Sequence, residues 1–444
     1  METLFIQHLE RLRGVAEQER MKRAQRKKDY YENKFIDYRD EILSAHFSKP
    51  DRVVSEFEYI NIIEYVVNKR AKMLKDGVNI ELEYNNDIFQ EWLKDVSFIN
   101  LLKQVERYTE LLGMVAVRMF NKGGNVGYEM ITPNRFYVAT DIKSSLEPIL
   151  FIWQRQNYTE IVPQEIQYFA YDKQYFYILD VDGNVISSEE HGYNEIPVAF
   201  IYSRERSDEF YIETDEDLRL AMESIAIWLT SLNHLAKYQS YAQPIAKGLP
   251  SKSTISTDPS TIINIPYIPE ANAFGDFEFK TPGAKLLELW ETLINKLRII
   301  GARYEVNMNE FIRETVQRSG VAYAWENLQT KESREDRGAL WRDNIREIIR
   351  KYLLVKNKIN STIIKDQGIY IDFPDIKLVE DPIQEINRWL ILVNNNVRSI
   401  LDWVIADNPD INSYEEALKI YKENIKINKD YINIIDNLDI GNDK

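Results

Sequence analysis

The stretch MVAVRMFNKGGNVGYEMI, from Met114 to Ile131, is where the chain changes period. Two runs rich in β-branched, aromatic and other apolar residues, 114–120 and 127–131, flank Asn121-Lys122-Gly123-Gly124-Asn125, a cluster of turn formers. That pattern predicts a β-hairpin. Upstream the spacing is helical: residues 98–112 form one pattern that stops at Gly113, a residue suited to a helix C-cap. Residues 56–74 carry Ile60, Ile63, Val67, Ala71 and Leu74 at spacings of three and four, and 1–47 also reads as helix. Downstream, strand patterns follow at 136–140, 149–156, 165–170, 174–179 and 185–188, with 198–202 closing the block after Pro197. Asp180-Val181-Asp182-Gly183-Asn184 superficially resembles half of a calcium loop. It lacks an acidic ligand at the far end and joins two strand patterns, so an Asp-Gly hairpin turn is the reading. The first half is therefore α+β, with helices around a largely antiparallel sheet.

From Asp215 the chain is helical again. Leu218, Ala221, Ile225, Trp228, Leu232 and Leu235 make one stripe, ended near Pro244 and Gly248. Residues 249–283 hold Pro250, Pro259, Pro266, Pro269 and Pro282 between short β-prone runs at 262–265 and 277–280, which reads as an extended insertion. Helix resumes at 284–304 with the stripe Leu286, Trp290, Leu293, Leu297 and Ile300. A broken stretch runs to Ser319-Gly320, and a long helical pattern covers 321–359, its middle (331–337) dense in charges of both signs. A strand at 369–373 precedes a helical tail from Pro382, interrupted at Asn408-Pro409.

Composition narrows the function. The 444 residues suggest two to four units of about 150 residues each. Hydrophobic content of 44% with 12% aromatics is ample for a core and excludes global disorder. No window approaches the run of about 18 apolar residues that a membrane-spanning helix needs. The opening METLFIQHLERLRG is charged throughout and lacks the apolar centre of a signal peptide. The absence of cysteine excludes disulfides, thiol nucleophiles and Cys-ligated zinc, and fits a reducing compartment. With 56 basic against 71 acidic residues the net charge is −15, which argues against a protein that grips duplex DNA but not against one that DNA merely passes. The basic run Arg20, Lys22, Arg23, Arg26, Lys27 and Lys28 reads as a solvated helical face or flexible arm, with contact to packaged DNA or an acidic partner as the alternative.

No catalytic, cofactor-binding or metal-binding set emerges. His8, His46, His191 and His234 fall in different segments, without the i, i+4 spacing of a metal helix. No Gly-rich loop ends in Lys-Ser/Thr, which argues against a packaging ATPase. The aromatics around 168–177 have mainly acidic neighbours, so sheet packing is a better reading than base stacking.

Several stretches, in chain order, resemble the portal proteins of tailed bacteriophages. Asp29-Tyr30-Tyr31-Glu32-Asn33-Lys34 followed by Ile42-Leu43 is similar to the early YY-x-G-K…IL stretch of that family, with Asn33 where glycine is usual. Glu58-Tyr59-Ile60 through Lys75-Asp76-Gly77-Val78 resembles a helix leading into a strand. Gly192-Tyr193-Asn194-Glu195-Ile196-Pro197-Val198 looks like the G-x-x-x-IPV turn, and the segment from Ser207 to Asn233 like the helix after it. Ser319-Gly320-Val321-Ala322 resembles the start of the long late helix. Ser399-Ile400-Leu401 through Asn408-Pro409-Asp410 to Tyr414-Glu415-Glu416-Ala417 resembles the closing segment.

The resemblance implies a portal-like α+β fold: a wing of N-terminal helices and β-rich block (1–214), stem helices at 215–248 and 284–304, and an extended clip at 249–283. It further implies a tunnel loop at 305–320, a long helix returning to the wing (321–408), and a short tail with little or no crown (409–444). Asn307, Asn309, Glu310, Arg313, Glu314, Gln317 and Arg318 are then the residues facing DNA. The implied assembly is a homo-oligomeric ring, a dodecamer, at one capsid vertex of a virion and made in the host cytoplasm. Double-stranded DNA passes through it non-specifically. Its partners would be the major capsid protein, scaffold, terminase and head-tail adaptor, with no cofactor, membrane or enzymatic step. The rival readings are a non-phage structural or adaptor protein and a nucleic-acid enzyme with a carboxylate-bound metal.

Overall fold

The computed structural model describes residues 2–74, 77–84, 86–94, 98–154, 168–239, 243–247, 267–268, 273–274, 276–280, 286–312, 320–360, 364–365, 368–374, 382–408 and 413–439. It divides into two units, Met1–Thr315 with Lys331–Asp375, and Val316–Thr330 with Ile376–Lys444.

The continuous helix read over 1–47 is broken. Helices α1 (Glu2–Leu12) and α2 (Val15–Tyr31) are separated at Gly14, where a Cβ would sit 2.9 Å from the Arg11 carbonyl oxygen. A second break falls at Asn33, at φ 62°, before α3 (Arg39–His46). Asparagine tolerates this left-handed conformation better than other residues with a Cβ, which explains how it stands where the family pattern has glycine. Asn61 Nδ2 holds the bend by donating to the Asn33 side chain at 2.7 Å and to the Tyr30 carbonyl at 2.9 Å. The same Asn61 side chain accepts from the Glu64 amide and caps α4 (Ile62–Arg70). The helix expected over 56–74 is shortened at its start by that cap, and it ends at Arg70 rather than at 74.

After β1 (Asn79–Leu82), α5 (Asn86–Lys94) and α6 (Phe98–Leu112), Gly113 ends the helix as read, at φ 90°, with a Cβ position only 2.3 Å from the Ile212 carbonyl oxygen. The hairpin β2 (Met114–Lys122) and β3 (Asn125–Ile131) follows. The strands β4 (Phe136–Asp141), β5 (Ser144–Gln154), β6 (Tyr168–Tyr171), β7 (Tyr175–Leu179), β8 (Val185–Glu190) and β9 (Val198–Tyr202) complete the block; 155–156 and 165–167 of the expected strands lie outside the described residues.

The single sheet expected is two. One has the order β3-β2-β9 and the other β4-β5-β6-β7-β8, all neighbours antiparallel. A 3₁₀ turn at Pro133–Arg135 separates them, since Pro133 has no N–H to give a ladder. Period-2 alternation assigns the faces of the larger sheet. Phe136, Phe151, Trp153, Phe169 and Tyr171 form one core with Val198 and Tyr202 of the smaller sheet, while Tyr137, Leu150, Ile152, Ala170 and Tyr177 form another under Phe5 and Leu9 of α1. The Asp180–Asn184 turn is the hairpin turn that was read. Both Asp180 carboxylate oxygens accept from Asn184, at 2.8 Å each, and Gly183 lies at φ 94°.

Helix α7 (Asp217–Gln239) turns Met222, Ile225, Ala226 and Leu229 inward, against α2 and α4. The stem helix read over 215–248 ends earlier than expected. Gln243–Lys247 is instead a strand, β10, ahead of β11 (Tyr267–Ile268), β12 (Ala273–Phe274) and β13 (Asp276–Lys280). β10 pairs antiparallel with β13, from Gln243↔Lys280 to Lys247↔Asp276, and β11 pairs with β12. Pro244 disfavours helix but fits a two-stranded ribbon, where one edge of each strand is unpaired. The β-prone run 262–265 lies outside the described residues. Helix α8 (Leu286–Arg303), the short α9 (Asn309–Ile312), the long α10 (Gly320–Ile359) and β14 (Ile369–Asp372) follow, β14 pairing with β1. Trp341, Ile345, Ile348 and Tyr352 of α10 bury against α6, β2 and β9. The second unit includes α11 (Pro382–Asn394), α12 (Ile400–Asp407) and α13 (Tyr414–Asp439). In it Trp389 stacks on Trp403 at 5.7 Å, and Ser399 and Asp402 form a capping box.

The basic run is neither a solvated face nor a free arm. Arg20 is 5% exposed; its guanidinium donates to the Pro133 and Phe136 carbonyls at 3.0 and 2.9 Å and lies 4.0 Å from the Tyr211 ring centre. Arg23 pairs with Glu213 at 3.1 Å, Arg26 with Glu223 at 2.9 Å and Glu41 at 2.7 Å, and Lys27 with Glu216 at 2.7 Å. Lys28 approaches Glu32, and Lys22 pairs at the surface with Glu19. Replacing Arg20 by Met (Arg20→Met) strands two buried carbonyls and should cost about 3 kcal/mol in urea unfolding. An unchanged midpoint would show that those bonds do not hold α2 to the β-block.

Candidate nucleic-acid interface

The candidate DNA-facing segment begins where α8 stops, and the stop is closely built. Glu305 sits at φ 56°, the Val306 amide donates to the Gly301 carbonyl at 2.8 Å, and the Glu305 amide donates to that of Ala302 at 3.4 Å. This is a Schellman-type C-cap in which glutamate occupies the left-handed position usually held by glycine. Glycine stands inside the turn instead. A Cβ on Gly301 would lie 2.5 Å from both the Val306 carbonyl oxygen and Met308 Cγ. Val306 and Met308 are buried in the helical core with Leu293 and Leu297, so the chain is anchored on both sides of Asn307.

Polar contacts fix the same point. Tyr65 Oη donates to the Asn307 carbonyl at 2.8 Å, and Arg70 Nη1 to that of Tyr304 at 3.2 Å. Tyr304 Oη donates to Asp215 Oδ1 at 2.7 Å, and Arg303 pairs with Asp215 and Asp217 at the start of α7. Burial, then the hydrogen bond to Asp215, push the Tyr304 hydroxyl pKa well up, so this bond persists over the physiological range. Beyond Met308 the Phe311 ring packs 4.7 Å from that of Tyr65.

Of the sequence-predicted residues, Asn307 lies at this anchor, held through its backbone. Asn309 and Glu310 open α9. Arg313, Glu314, Gln317 and Arg318 lie outside the described residues. Sequence reading missed Tyr65, Arg70, Gly301 and Glu305, which set where the segment departs. Gly301 was the one visible signal: a glycine interrupting Ile299-Ile300-Gly301-Ala302 has no helical purpose of its own.

Among the described residues, no group of three or more His, Asp or Glu could hold a metal ion. The α2 cations that offered an alternative route to DNA are largely committed to carboxylates of the same chain. No helix among the described residues is long and apolar enough to cross a membrane.

The cap makes a two-sided prediction. Gly301→Ala forces Val306 or Met308 to move and should destabilise the chain by about 2 kcal/mol despite alanine's better helix propensity. Glu305→Gly relieves a left-handed residue and should stabilise it by about 1 kcal/mol. Thermal denaturation of both variants measures this; the opposite order would mean that the turn is built differently.

No curated protein matches the chain. Among solved structures, a chain from the virion of a native gene transfer agent particle is similar at 11% identity, covering 79% of this chain and 90% of that one, with a TM-score of 0.39. A chain from the neck of an empty gene transfer agent particle is similar at 11% identity over 77% and 87%, with a TM-score of 0.42. The family described as phage portal protein, SPP1 Gp6-like, matches residues 16–430. That span runs from the start of α2 into α13 and takes in both units, so the chain belongs to the SPP1 Gp6-like family of phage portal proteins.

Proposed function

We propose that the chain performs the portal role as a closed ring, a dodecamer, at one capsid vertex of a virion, after synthesis in the host cytoplasm. Double-stranded DNA enters and leaves through its bore. Capsid protein, scaffold, terminase and tail adaptor dock on its outside, and the task is mechanical rather than catalytic. In this reading 1–214 is the wing and α7 with α8 the stem pair. The β10–β13 ribbon is the root of a clip that spans 249–283, and 305–320 is the tunnel segment. Residues 321–408 form the long helix and return to the wing, and 409–444 a short tail.

One observation carries the ring. Helix α8 uses Leu293 and Leu297 against its own subunit, yet leaves Leu287 80%, Trp290 47% and Ile299 69% exposed. A pair of helices cannot cover both of its sides. In a head-to-tail ring the neighbour covers the outer one. Leu287→Asp together with Trp290→Asp should therefore shift the assembly from rings to small species in mass photometry, with helical circular dichroism unchanged. Rings that persist in the double variant would remove this face from the interface.

DNA must slide, so every register must be nearly equal in energy. Each good base-edge contact would add a pause of about 1–3 kcal/mol, so the segment should offer only steric and phosphate-level contacts. Its charges nearly cancel, Glu310 and Glu314 against Arg313 and Arg318, within a chain of net charge −15. The double change Arg313→Ala with Arg318→Ala should produce a packaging or retention defect in assembled particles. The unaltered ring should bind free duplex weakly and without sequence preference. Tight sequence-specific binding, or unaltered packaging and retention in the variant, would contradict the proposal.

A further inference from the structure

Beside β9 lies a cleft of about 340 Å³, walled by the start of β5, the 194–196 turn, the segment after β9 and the long helix α10, all within the first unit. Most of its charges are already matched. Arg350 of α10 donates to both Glu195 oxygens at 2.8 Å and to those of Glu347 at 2.8 and 3.0 Å. Lys351 pairs with Glu195 at 2.9 Å, and at the rim Lys173 pairs with Glu147 at 2.9 Å. Arg206 is the exception. It is partly buried, its Nη1 donates to the Leu146 carbonyl at 3.1 Å, and its guanidinium carbon lies 4.4 Å from the Tyr202 ring centre and 5.7 Å from that of Phe210. No carboxylate among the described residues pairs with it. Tyr202 is 7% exposed, and its hydroxyl has no hydrogen-bond partner among the described residues. Burial pushes the pKa of that hydroxyl up, so it keeps its proton and stays a donor.

We propose that this cleft takes the carboxylate of an aspartate or glutamate, flanked by apolar residues, on an extended segment of a partner protein. Neither the ring nor the tunnel segment is needed for it. The chemistry selects the ligand. Lys173, Arg206, Arg350 and Lys351 face three carboxylates, those of Glu147, Glu195 and Glu347, so one positive charge is left over. Two donors, on Arg206 and Tyr202, lack an acceptor. A single carboxylate supplies both the charge and the oxygens. The two rings already hold the guanidinium in place, so little of its freedom is left to lose on binding. Leu146, Pro148 and Phe200 of the walls are only partly buried and suit an aliphatic side chain beside the carboxylate. The volume is at the lower end of the roughly 300–1,000 Å³ of ligand pockets, enough for a few side chains and too small to admit a duplex. A row of phosphates would moreover meet the three glutamates.

The test is fluorescence polarisation of the labelled peptide Gly-Ser-Gly-Leu-Glu-Leu-Gly-Ser-Gly with the full-length protein, beside a counterpart in which glutamine replaces the glutamate. The glutamate peptide should bind about 10-fold more tightly, the ratio that one charge-assisted hydrogen bond supplies. Arg206→Met should abolish that preference with circular dichroism unchanged. Tyr202→Phe should weaken the glutamate peptide about 3-fold while leaving the thermal midpoint unchanged or higher, because it removes a buried hydroxyl that has no partner in the free chain. Equal binding of the two peptides, or a preference that survives Arg206→Met, would overturn the proposal. So would a short DNA duplex that displaces the peptide, or an Arg206→Met chain altered only in its oligomeric state, which would give the cleft to a neighbouring subunit.

Discussion

The fold depends on where one basic helix places its charges. The chain is strongly acidic, and α2 gathers cations into a single stretch of 17 residues. An unpaired cluster of that kind would repel itself, and a helix so polar has little apolar surface with which to dock. It docks through ion pairs and hydrogen bonds instead. Arg20 reaches the turn before β4, Arg23 and Lys27 the segment leading into α7, and Arg26 both α3 and α7. Lone surface pairs such as Arg23 with Glu213 contribute little, but Arg20, Arg26 and Lys27 are largely buried, and Arg20 and Lys27 are also fastened to backbone carbonyls, where removing one partner is costly. The Tyr30 hydroxyl joins them, donating to Glu223 at 2.6 Å. Helix α2 thereby ties the β-block to the helix α7, and its buried cations Arg20, Arg26 and Lys27 are spent on that task.

The proposed portal role would draw on this arrangement. A channel for DNA must hold its lining still while leaving it unattractive to any one sequence. If the segment after Met308 lines the channel, as proposed, the C-cap of α8 meets the first requirement, with Gly301, Glu305, Tyr65 and Arg70 fixing where the segment departs. The balance of charge in the sequence that follows would meet the second. Arg70 contributes twice, once to the Tyr304 carbonyl and once to Glu110, which also pairs with Arg337 of α10, so the departure point and the long helix α10 share an arginine.

The sequence was legible where period and turn chemistry speak locally. Alternation in 136–154 exposed the strands because Phe151 and Trp153 face one core while Leu150 and Ile152 face another. It could not say that α1 covers one face, since nothing local joins Phe5 to Tyr177. Gly113 and the Asp180–Asn184 turn were readable because each solves a backbone problem in place. The fate of the basic run was not, because its partners lie far along the chain, Glu213 being 190 positions from Arg23. The earlier end of α7 was half legible: Pro244 marked a limit, but its strand partner in 276–280 is visible only in three dimensions. In the candidate site, the break after 304 was plain. Its mechanism was hidden, because glutamate at a left-handed C-cap carries no sequence signature and the anchoring Tyr65 comes from a helix some 240 residues earlier, at a separation of 242.

The central claim is that identical subunits close around a bore into which the segment after Met308 projects. Electron cryomicroscopy of the assembled, full-length protein tests it most directly. The account predicts a closed ring with an axial hole, the face of α8 bearing Leu287 and Trp290 buried against a neighbour, and Arg313 and Arg318 at the bore. A ring whose bore is lined by other segments, with 305–320 on its outer surface, would contradict it, as would a particle with no axial hole.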